Sequence, residues 1–338
     1  MATSFTLAGQ APGNAPFHTH CRGYCHMELR QLRYFVAIVD HGSLSRAARV
    51  LHIAQPALTQ QIKQLEDELG AQLLHRSAQG VLATDAGKTF YEHAQAILKQ
   101  VIDARSAVAQ STDKPTGTVA LGIPQSASGI LALPLLTAMR ARYPDISLQL
   151  TEELTGNLIE QLKTGRINLA ILFDDGQLTS FATTPLVEEE MMFITRAGSQ
   201  YATARRSITF ARAAKAKLIL PGLQHGVRPR IESVARAAGI ALDNVIEISS
   251  VTIMKSAILA DIGATILPVA PLLPEIKRGE MTAYSISGEK LSRTLTLCAS
   301  KNIPLTTAAA AVERLVLEVT DELCRSGQWL HAKILARP

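Results

Sequence analysis

The sequence predicts an α+β multidomain protein in which a small, mostly helical domain precedes a larger α/β domain. The chain has 338 residues, too many for one small domain, and 47% of them are apolar, enough for ordinary buried cores. Residues 27–110 carry apolar side chains at helical spacing. From residue 118 onward, short apolar runs alternate with amphipathic segments, which is typical of α/β sheets.

Composition narrows the class of protein. The formal charge of +5 permits a polyanionic partner without requiring one. Four cysteines are too few for a disulfide framework and favour a reducing compartment. The N-terminus lacks a basic start followed by an apolar run, and no stretch approaches the ~18 apolar residues of a membrane span. We therefore expect a cytoplasmic protein with no membrane partner.

Residues 1–26 predict a disordered extension, because they are rich in Gly, Pro and Ala and show no periodicity. They end in "HTHCRGYCH", where histidines and cysteines cluster. A metal site there is the alternative, but the spacing matches no established zinc pattern. We therefore predict neither a metal nor a cofactor.

Residues 27–88 predict a winged helix–turn–helix. "LRQLRYFVAIVDHG" reads as a helix that ends at Gly42, and Ser43 is a natural N-cap for "SLSRAARVL". The turn "HIA" leads to a third helix, "QPALTQQIKQLEDELG", with Pro56 at its first helical position. "AQLLHRSAQGVLATDAG" then predicts a two-stranded wing and a helix start at Thr84.

The third helix has two contrasting faces. Its core face repeats an apolar residue every three or four positions: Leu58, Ile62, Leu65 and Leu69. The other face has neutral amides and a hydroxyl near the N-terminus, followed by Lys63, and carries its acids at the far end, residues 66–68. In a helix–turn–helix this N-terminal part lies in the DNA major groove, where Gln and Thr bond bases. A solvated, uncharged face is the alternative.

Charge in this domain is nearly balanced. Between residues 27 and 90, seven Lys and Arg oppose six Asp and Glu, which leaves +1. Affinity for DNA would therefore depend on where the basic residues lie and on dimerisation, and Arg46 and Lys63 would contact phosphates.

Residues 89–110 predict a long linker helix for dimerisation. Its apolar residues repeat at alternating spacings of four and three: Phe90, Ala94, Ile97, Val101, Ala104 and Val108. Such a heptad seam favours pairing with a second copy; packing on its own domain is the alternative. Residues 111–117 predict a hinge.

Residues 118–325 predict two α/β lobes built on a mostly parallel sheet, with hinge strands near "MMFITRAG" and "TLTLCASKN". Residues 326–338 are predicted as a C-terminal tail.

The segments "LRYFVAIVDHGSLSRAARVLHIAQPALTQQIKQLEDELGAQLLHR" and "GVLATDAG" resemble the head of LysR-type transcriptional regulators. The resemblance extends from residue 27 to about residue 325. Within the family, "LHIAQPALTQQ" and "TDAGK" are most similar to the nitrogen assimilation control protein subgroup.

The resemblance implies a homodimer or homotetramer that binds double-stranded DNA at a dyad operator. Its two-lobed domain, similar to periplasmic binding proteins, would sense a small effector, and RNA polymerase is a candidate partner. It implies DNA contacts from Ser43, Arg46, Gln55, Pro56, Thr59, Gln60, Lys63 and Arg76. Two residues depart from the family pattern: Gln79 replaces a wing Arg, and Leu74 replaces a Phe.

The family's effector site lies between the lobes, and six residues are candidates for it: Ser126, Ser128, Thr155, Gln224, His225 and Arg228. Ser126 and Ser128 lie in "GIPQSASG" at a helix start, where free backbone N–H groups favour an anion. Ordinary helix capping is the alternative role for the serines and the threonine.

No sequence motif favours an enzyme: a nucleophile elbow, a phosphate-binding Gly–Lys loop and a zinc-protease motif are all missing. Cys298 reads as a buried strand residue. We predict a sequence-specific transcriptional regulator, activator and/or repressor, controlled by an anionic effector. The alternative is a solute-binding protein whose N-terminal module serves only for assembly.

Overall fold

The computed structural model describes residues 27–77, 80–109, 114–174, 176, 178–223, 226–288 and 291–337. The predicted extension 1–26 and residues 111–113 of the predicted hinge lie outside these ranges. The chain divides into two compact units, with the boundary between Tyr91 and Glu92. Across the described residues, none of the helices combines the length and the apolar character needed to cross a membrane.

The first unit is a three-helix domain with a two-stranded wing. Its elements are α1 (Leu29–His41), α2 (Leu44–Val50), α3 (Gln55–Leu69), β1 (Leu74–Ser77), β2 (Gly80–Ala83) and the start of α4 (Asp85–Ala109). Phe35, Ile38, Leu58, Ile62 and Leu65 fill the core at 0% exposure. The predicted core face of α3 is therefore confirmed at Leu58, Ile62 and Leu65, but wrong at Leu69, which is 38% exposed in the last turn of the helix.

Helix α3 begins one residue earlier than its proline suggests. Ala54 is the N-cap, Gln55 opens the helix and Pro56 is the second residue. The missing N–H of Pro56 still costs nothing there, because the first four N–H groups of a helix have no helical acceptor. Gly70 ends the helix at a φ of 63°.

The segment "TDAG" fixes the wing against α4. The Thr84 hydroxyl donates to the Gln72 carbonyl at 2.7 Å and accepts from the Gly87 N–H at 2.9 Å. A Cβ on Gly87 would lie 2.0 Å from the Leu73 carbonyl oxygen, so only glycine fits this approach. The motif therefore has a structural explanation inside the head domain.

The second unit contains the rest of α4 and two α/β lobes. Its remaining elements, in chain order, are β3 (Gly117–Pro124), α5 (Gln125–Arg142), β4 (Ile146–Glu153), α6 (Thr155–Lys163), β5 (Leu169–Asp174), β6 (Phe181–Arg196), β7 (Ser207–Thr209), α7 (Phe210–Ala213), β8 (Leu218–Leu220), α8 (Val227–Ala237), β9 (Val245–Glu247), α9 (Val251–Leu259), β10 (Thr265–Pro268), α10 (Leu273–Lys277), β11 (Met281–Ser287), β12 (Ser292–Ser300), α11 (Thr307–Arg325) and β13 (Ala332–Ile334).

The sheet is more mixed than the mostly parallel one predicted. Strands β3, β4 and β5 are parallel, but β12 runs antiparallel to both β5 and β6. The second half of β6 continues into the other lobe, antiparallel to β10 and β11. The parallel prediction failed here because β6 and β12 run between the lobes as direct connections, without a crossover helix.

The C-terminal segment packs against the sheet, so the prediction of a tail at residues 326–338 was wrong. Strand β13 pairs antiparallel with β6, and Trp329 is only 2% exposed. Arg337 pairs with Asp321 of α11 at 2.6 Å. Strand pairing, the buried Trp329 and this ion pair together hold the segment, which is too short to show a periodic pattern in the sequence.

The second half of α4 packs on the first lobe through polar contacts and leaves its apolar seam exposed. Asn168 donates to the Asp103 carboxylate at 3.0 Å, and Lys99 pairs with the same carboxylate at 2.6 Å. Ile97 is 39% exposed and Val108 is 90% exposed. One face of this helix therefore packs on its own domain, whereas its apolar face is largely exposed, and pairing with a second copy stays a prediction.

Candidate functional site

The outer face of α3 is accessible along the helix. Gln55, Pro56, Gln60 and Lys63 are exposed, and Thr59 is half-buried. We call these five residues the α3 outer face. It presents amides, a hydroxyl and one ammonium group, which is suited to hydrogen bonding at base edges and contact with a phosphate.

A contact between α2 and α3 orients the first residue of that face. The Ser45 hydroxyl donates to Gln55 Oε1 at 2.9 Å. The bond fixes the amide oxygen toward α2, so the NH₂ group of Gln55 is free to face outward. Sequence reasoning missed Ser45, since only the folded turn brings these residues together.

The remaining predicted DNA-contact residues flank the α3 outer face in the chain. Ser43 caps α2 by accepting from the Arg46 N–H at 3.4 Å, and the Arg46 side chain is exposed. Arg76 of the wing lies 3.9 Å from Glu66. Glu66 also accepts from the N–H groups of Leu73 and Leu74, so this acid has a structural role in the wing. Gln79 lies outside the described residues.

A second candidate site is a cavity between the two lobes of the second unit. Ser126 at the start of α5, Thr155 at the start of α6 and Arg293 on β12 line it from the first lobe. Pro221, Val227 and Met254 contribute to the opposite wall. Its volume is about 30 Å³ in this arrangement of the lobes, comparable to the volume of one water molecule.

Arg293 is the buried charge in the wall of this cavity. Its side chain is 4% exposed, stacks 4.1 Å from the centroid of the Phe173 ring and donates from Nη1 to the Ser126 hydroxyl at 3.1 Å. Nε and Nη2 approach one oxygen of Glu189, Oε2, at 2.8 and 2.7 Å. Burial lowers the pKa of the guanidinium, and the Glu189 carboxylate opposes that shift.

The other oxygen of Glu189 accepts from the Trp329 indole N–H at 2.8 Å. We call Ser126, Arg293, Glu189 and Trp329 the Arg293 cluster. It links the cavity wall to the C-terminal segment by direct hydrogen bonds. The sequence signal for this cluster was Arg293, a single charged residue in the strand "SRTLTLCAS", but it was not among the predicted site residues.

The predicted effector residues divide into three groups. Ser126 and Thr155 line the cavity, and Thr155 Oγ1 is buried without a hydrogen-bond partner among the described residues. Ser128 bonds Glu152, and Arg228 pairs with Glu232 at 2.6 Å; neither residue lines the cavity. Gln224 and His225 lie outside the described residues.

Known proteins match both units. A family model described as the bacterial regulatory helix-turn-helix protein, lysR family, covers residues 29–88, and the LysR substrate binding domain covers residues 112–321. The nitrogen assimilation regulatory protein nac of Escherichia coli is 34% identical over 90% of this chain and 99% of its own length. This confirms both the predicted family and the predicted similarity to that subgroup.

Solved structures show the same fold. A full-length OxyR variant from Pseudomonas aeruginosa matches with a TM-score of 0.65 and 22% identity over 87% of this chain and 95% of its own. Full-length CbnR, solved with its target DNA, matches with a TM-score of 0.63 and 22% identity over 87% of this chain and 100% of its own. The helix–turn–helix head, the two-lobed domain and both family models lead to one conclusion: the chain belongs to the LysR family of bacterial transcriptional regulators.

Proposed function

We propose that this protein is a sequence-specific, DNA-binding transcriptional regulator that responds to a small anionic effector. The observation that carries the proposal is the α3 outer face, which is exposed and lacks acids over its first turns. A helix that only covered a core would need no such run of neutral hydrogen-bonding groups. The protein acts where the chromosome is, in the cytoplasm.

On DNA, α3 lies in the major groove with its N-terminal end against the bases. Gln55 and Gln60 pair with adenine edges, and Thr59 contacts a base or a thymine methyl group. Pro56 packs against the same edges. Lys63 and Arg46 contact phosphates, Ser43 holds the start of α2 at the backbone, and Arg76 extends from the wing.

Two copies pair through α4. In its seam Ile97, Ala104 and Val108 are exposed and Val101 is half-buried, and together they form an apolar strip that a second α4 would cover. Pairing places two heads on one duplex, so the operator is a dyad with half-sites separated by whole helical turns. Pairs of dimers would give the homotetramer.

The effector binds between the lobes and changes their arrangement. Ser126 and Thr155 stand at the N-termini of α5 and α6, where orphan N–H groups attract an anion. A ligand that binds one lobe arrangement better shifts the population toward it and alters the spacing or bending of the DNA heads.

The two other candidate functions have less support. A solute-binding protein would need no exposed DNA-type face on α3, and the head matches a DNA-binding family model over residues 29–88. An enzyme is disfavoured because the matched relatives are regulators. We therefore assign the chain no catalytic activity.

Selection of binding sites from a pool of random duplexes tests the proposal without knowledge of the operator. Purified full-length protein should enrich a dyad sequence, and footprinting should show protection that weakens as salt rises. Size-exclusion chromatography should show a dimer or tetramer. A monomer that enriches no sequence would support the solute-binding alternative and overturn the proposal.

A further inference from the structure

We propose that Arg293 is the residue that selects a carboxylate in the interlobe cavity, and that Trp329 reports its occupation. The inference rests on the proposed effector function and names its charged contact. Arg293 was not among the residues predicted for this site, and its position becomes apparent only when β12 pairs with β6.

The guanidinium has unused hydrogen-bonding capacity. An arginine carries five N–H donors in a planar fork. One is used at Glu189 through Nε and one at Ser126 through Nη1. Nη2 lies 2.7 Å from the same Glu189 oxygen that Nε already bonds, and it makes no hydrogen bond with a described residue. One carboxylate oxygen therefore faces both Nε and Nη2, and an acceptor in the cavity would give Nη2 a partner of its own.

Two nearby groups favour the same kind of ligand, although the Glu153 carboxylate, which also lines the cavity, opposes it. The Ser126 hydroxyl accepts from Arg293, so its own proton is available to donate into the cavity. The first N–H groups of the 18-residue helix α5 point toward the same end, and no side chain caps them. Planar, bidentate recognition by Arg at a helix N-terminus fits a carboxylate better than a neutral or cationic group.

Glu189 is an internal competitor for that carboxylate. It is 1% exposed and is the only acid within ion-pair distance of Arg293 among the described residues. An incoming carboxylate would share Arg293 with Glu189 and weaken the contact between them. Because Glu189 also accepts from Trp329, the indole environment would change when the cavity is filled.

Trp329 is the single tryptophan of the chain, so its fluorescence observes this cluster alone. Full-length protein is titrated with acetate, lactate and succinate, each paired with the amide of the same shape. We expect at least one carboxylate, and no amide, to change Trp329 emission in a saturable way. An amide that binds as tightly as its carboxylate, or the absence of any carboxylate response at millimolar concentration, overturns the inference.

Three variants assign the effect to Arg293. Arg293→Lys keeps the charge but loses the planar fork, and carboxylate affinity should fall about tenfold. Arg196→Lys is the matched control, because Arg196 pairs with Asp261 at 3.3 Å and does not line the cavity. Equal affinities for wild type and Arg293→Lys would overturn the assignment.

Glu189→Gln distinguishes a direct effect on the ligand from unfolding, because it is expected to strengthen binding. It keeps the shape of the side chain but removes the competing charge, so carboxylate binding should become about tenfold tighter. Damage to the fold would weaken binding, and unchanged or weaker binding in a folded variant overturns the inference. Sequence-selective DNA binding is measured on the same preparations. If the wild type binds DNA selectively but no carboxylate changes its fluorescence, the Arg293 inference fails alone. If the wild type shows no sequence-selective DNA binding, the proposed function fails.

Discussion

The α3 outer face and the Arg293 cluster hold polar groups in opposite settings. On α3, Gln60 and Lys63 stand exposed on a helix whose other face is anchored by fully buried aliphatic residues. In the Arg293 cluster, Arg293 and Glu189 are almost completely buried, and each depends on the other for its charge balance. Bulk water satisfies the first set, whereas the second depends on its protein partners and on what fills the cavity.

This difference predicts which substitutions change DNA binding and which change the stability of the fold. Substitution on the α3 outer face should alter DNA binding and leave folding unchanged, because the lost groups were solvated. Substitution in the Arg293 cluster should alter both, because it leaves a buried partner uncompensated.

The largest expected effect is the loss of stability in Glu189→Ala. The substitution leaves the Arg293 guanidinium and the Trp329 indole N–H buried without their acceptor. The free energy of unfolding should fall by about 3–5 kcal/mol. Urea unfolding, followed by far-ultraviolet circular dichroism, measures it without relying on the altered Trp329 environment.

Glu318→Ala is the matched control. Glu318 pairs with Arg142 on the surface, and both side chains are about half exposed. Its removal should cost less than about 1 kcal/mol. Similar losses for the two variants would show that the burial of the Arg293 cluster carries no special stability.

The second effect is on specific DNA binding in Gln60→Ala. If Gln60 bonds a base edge, the selected operator should lose about 1–3 kcal/mol of binding free energy, while binding to random DNA stays unchanged. Gln149→Ala, the same change on an exposed position of β4, should leave both affinities unchanged. Competition mobility shifts measure them, and equal losses on operator and random DNA would remove Gln60 from base recognition.

A smaller effect is expected for Ser45→Ala. Ser45 donates to Gln55 Oε1 in an exposed setting, so the bond itself contributes only about 0.5–1.5 kcal/mol. Its loss should free the Gln55 amide to rotate and weaken operator binding by a few fold. The same competition assay measures this, and a Gln55→Ala background should abolish the difference. A persistent effect in that background would mean that Ser45 acts on DNA by itself.

The sequence predicted α3 well because helical periodicity is local. Leu58, Ile62 and Leu65 needed only their own spacing to be placed in the core, and the outer face followed by exclusion. The wing motif and the exposed α4 seam were equally local. Even in this domain the role of Ser45 was not predicted, because its partner Gln55 lies ten residues away across a turn.

The Arg293 cluster could not be predicted in the same way. Ser126 and Arg293 are 167 residues apart in the chain, and Glu189 and Trp329 are 140 apart. Their meeting depends on the antiparallel pairing of β6 and β12 and on the docking of residues that looked like a tail. Ser128 and Arg228 show the converse: both were plausible by position, but both bond neighbouring acids instead.

The smallest expected effect concerns the two described cysteines, which extend the contrast between exposed and buried groups to thiols. Burial, helped by Asp174, raises the pKa of the Cys298 thiol to about 12, and burial raises that of Cys324 to about 11. A raised thiol pKa stabilises the fold fully below the ordinary value of 9.0 and ceases to do so as pH rises toward 12. Stability near neutral pH should therefore not depend on thiol ionisation.

Iodoacetamide labelling at mildly alkaline pH, read by peptide mass spectrometry, should modify half-buried Cys324 faster than Cys298, and the reverse order would contradict the buried position of Cys298.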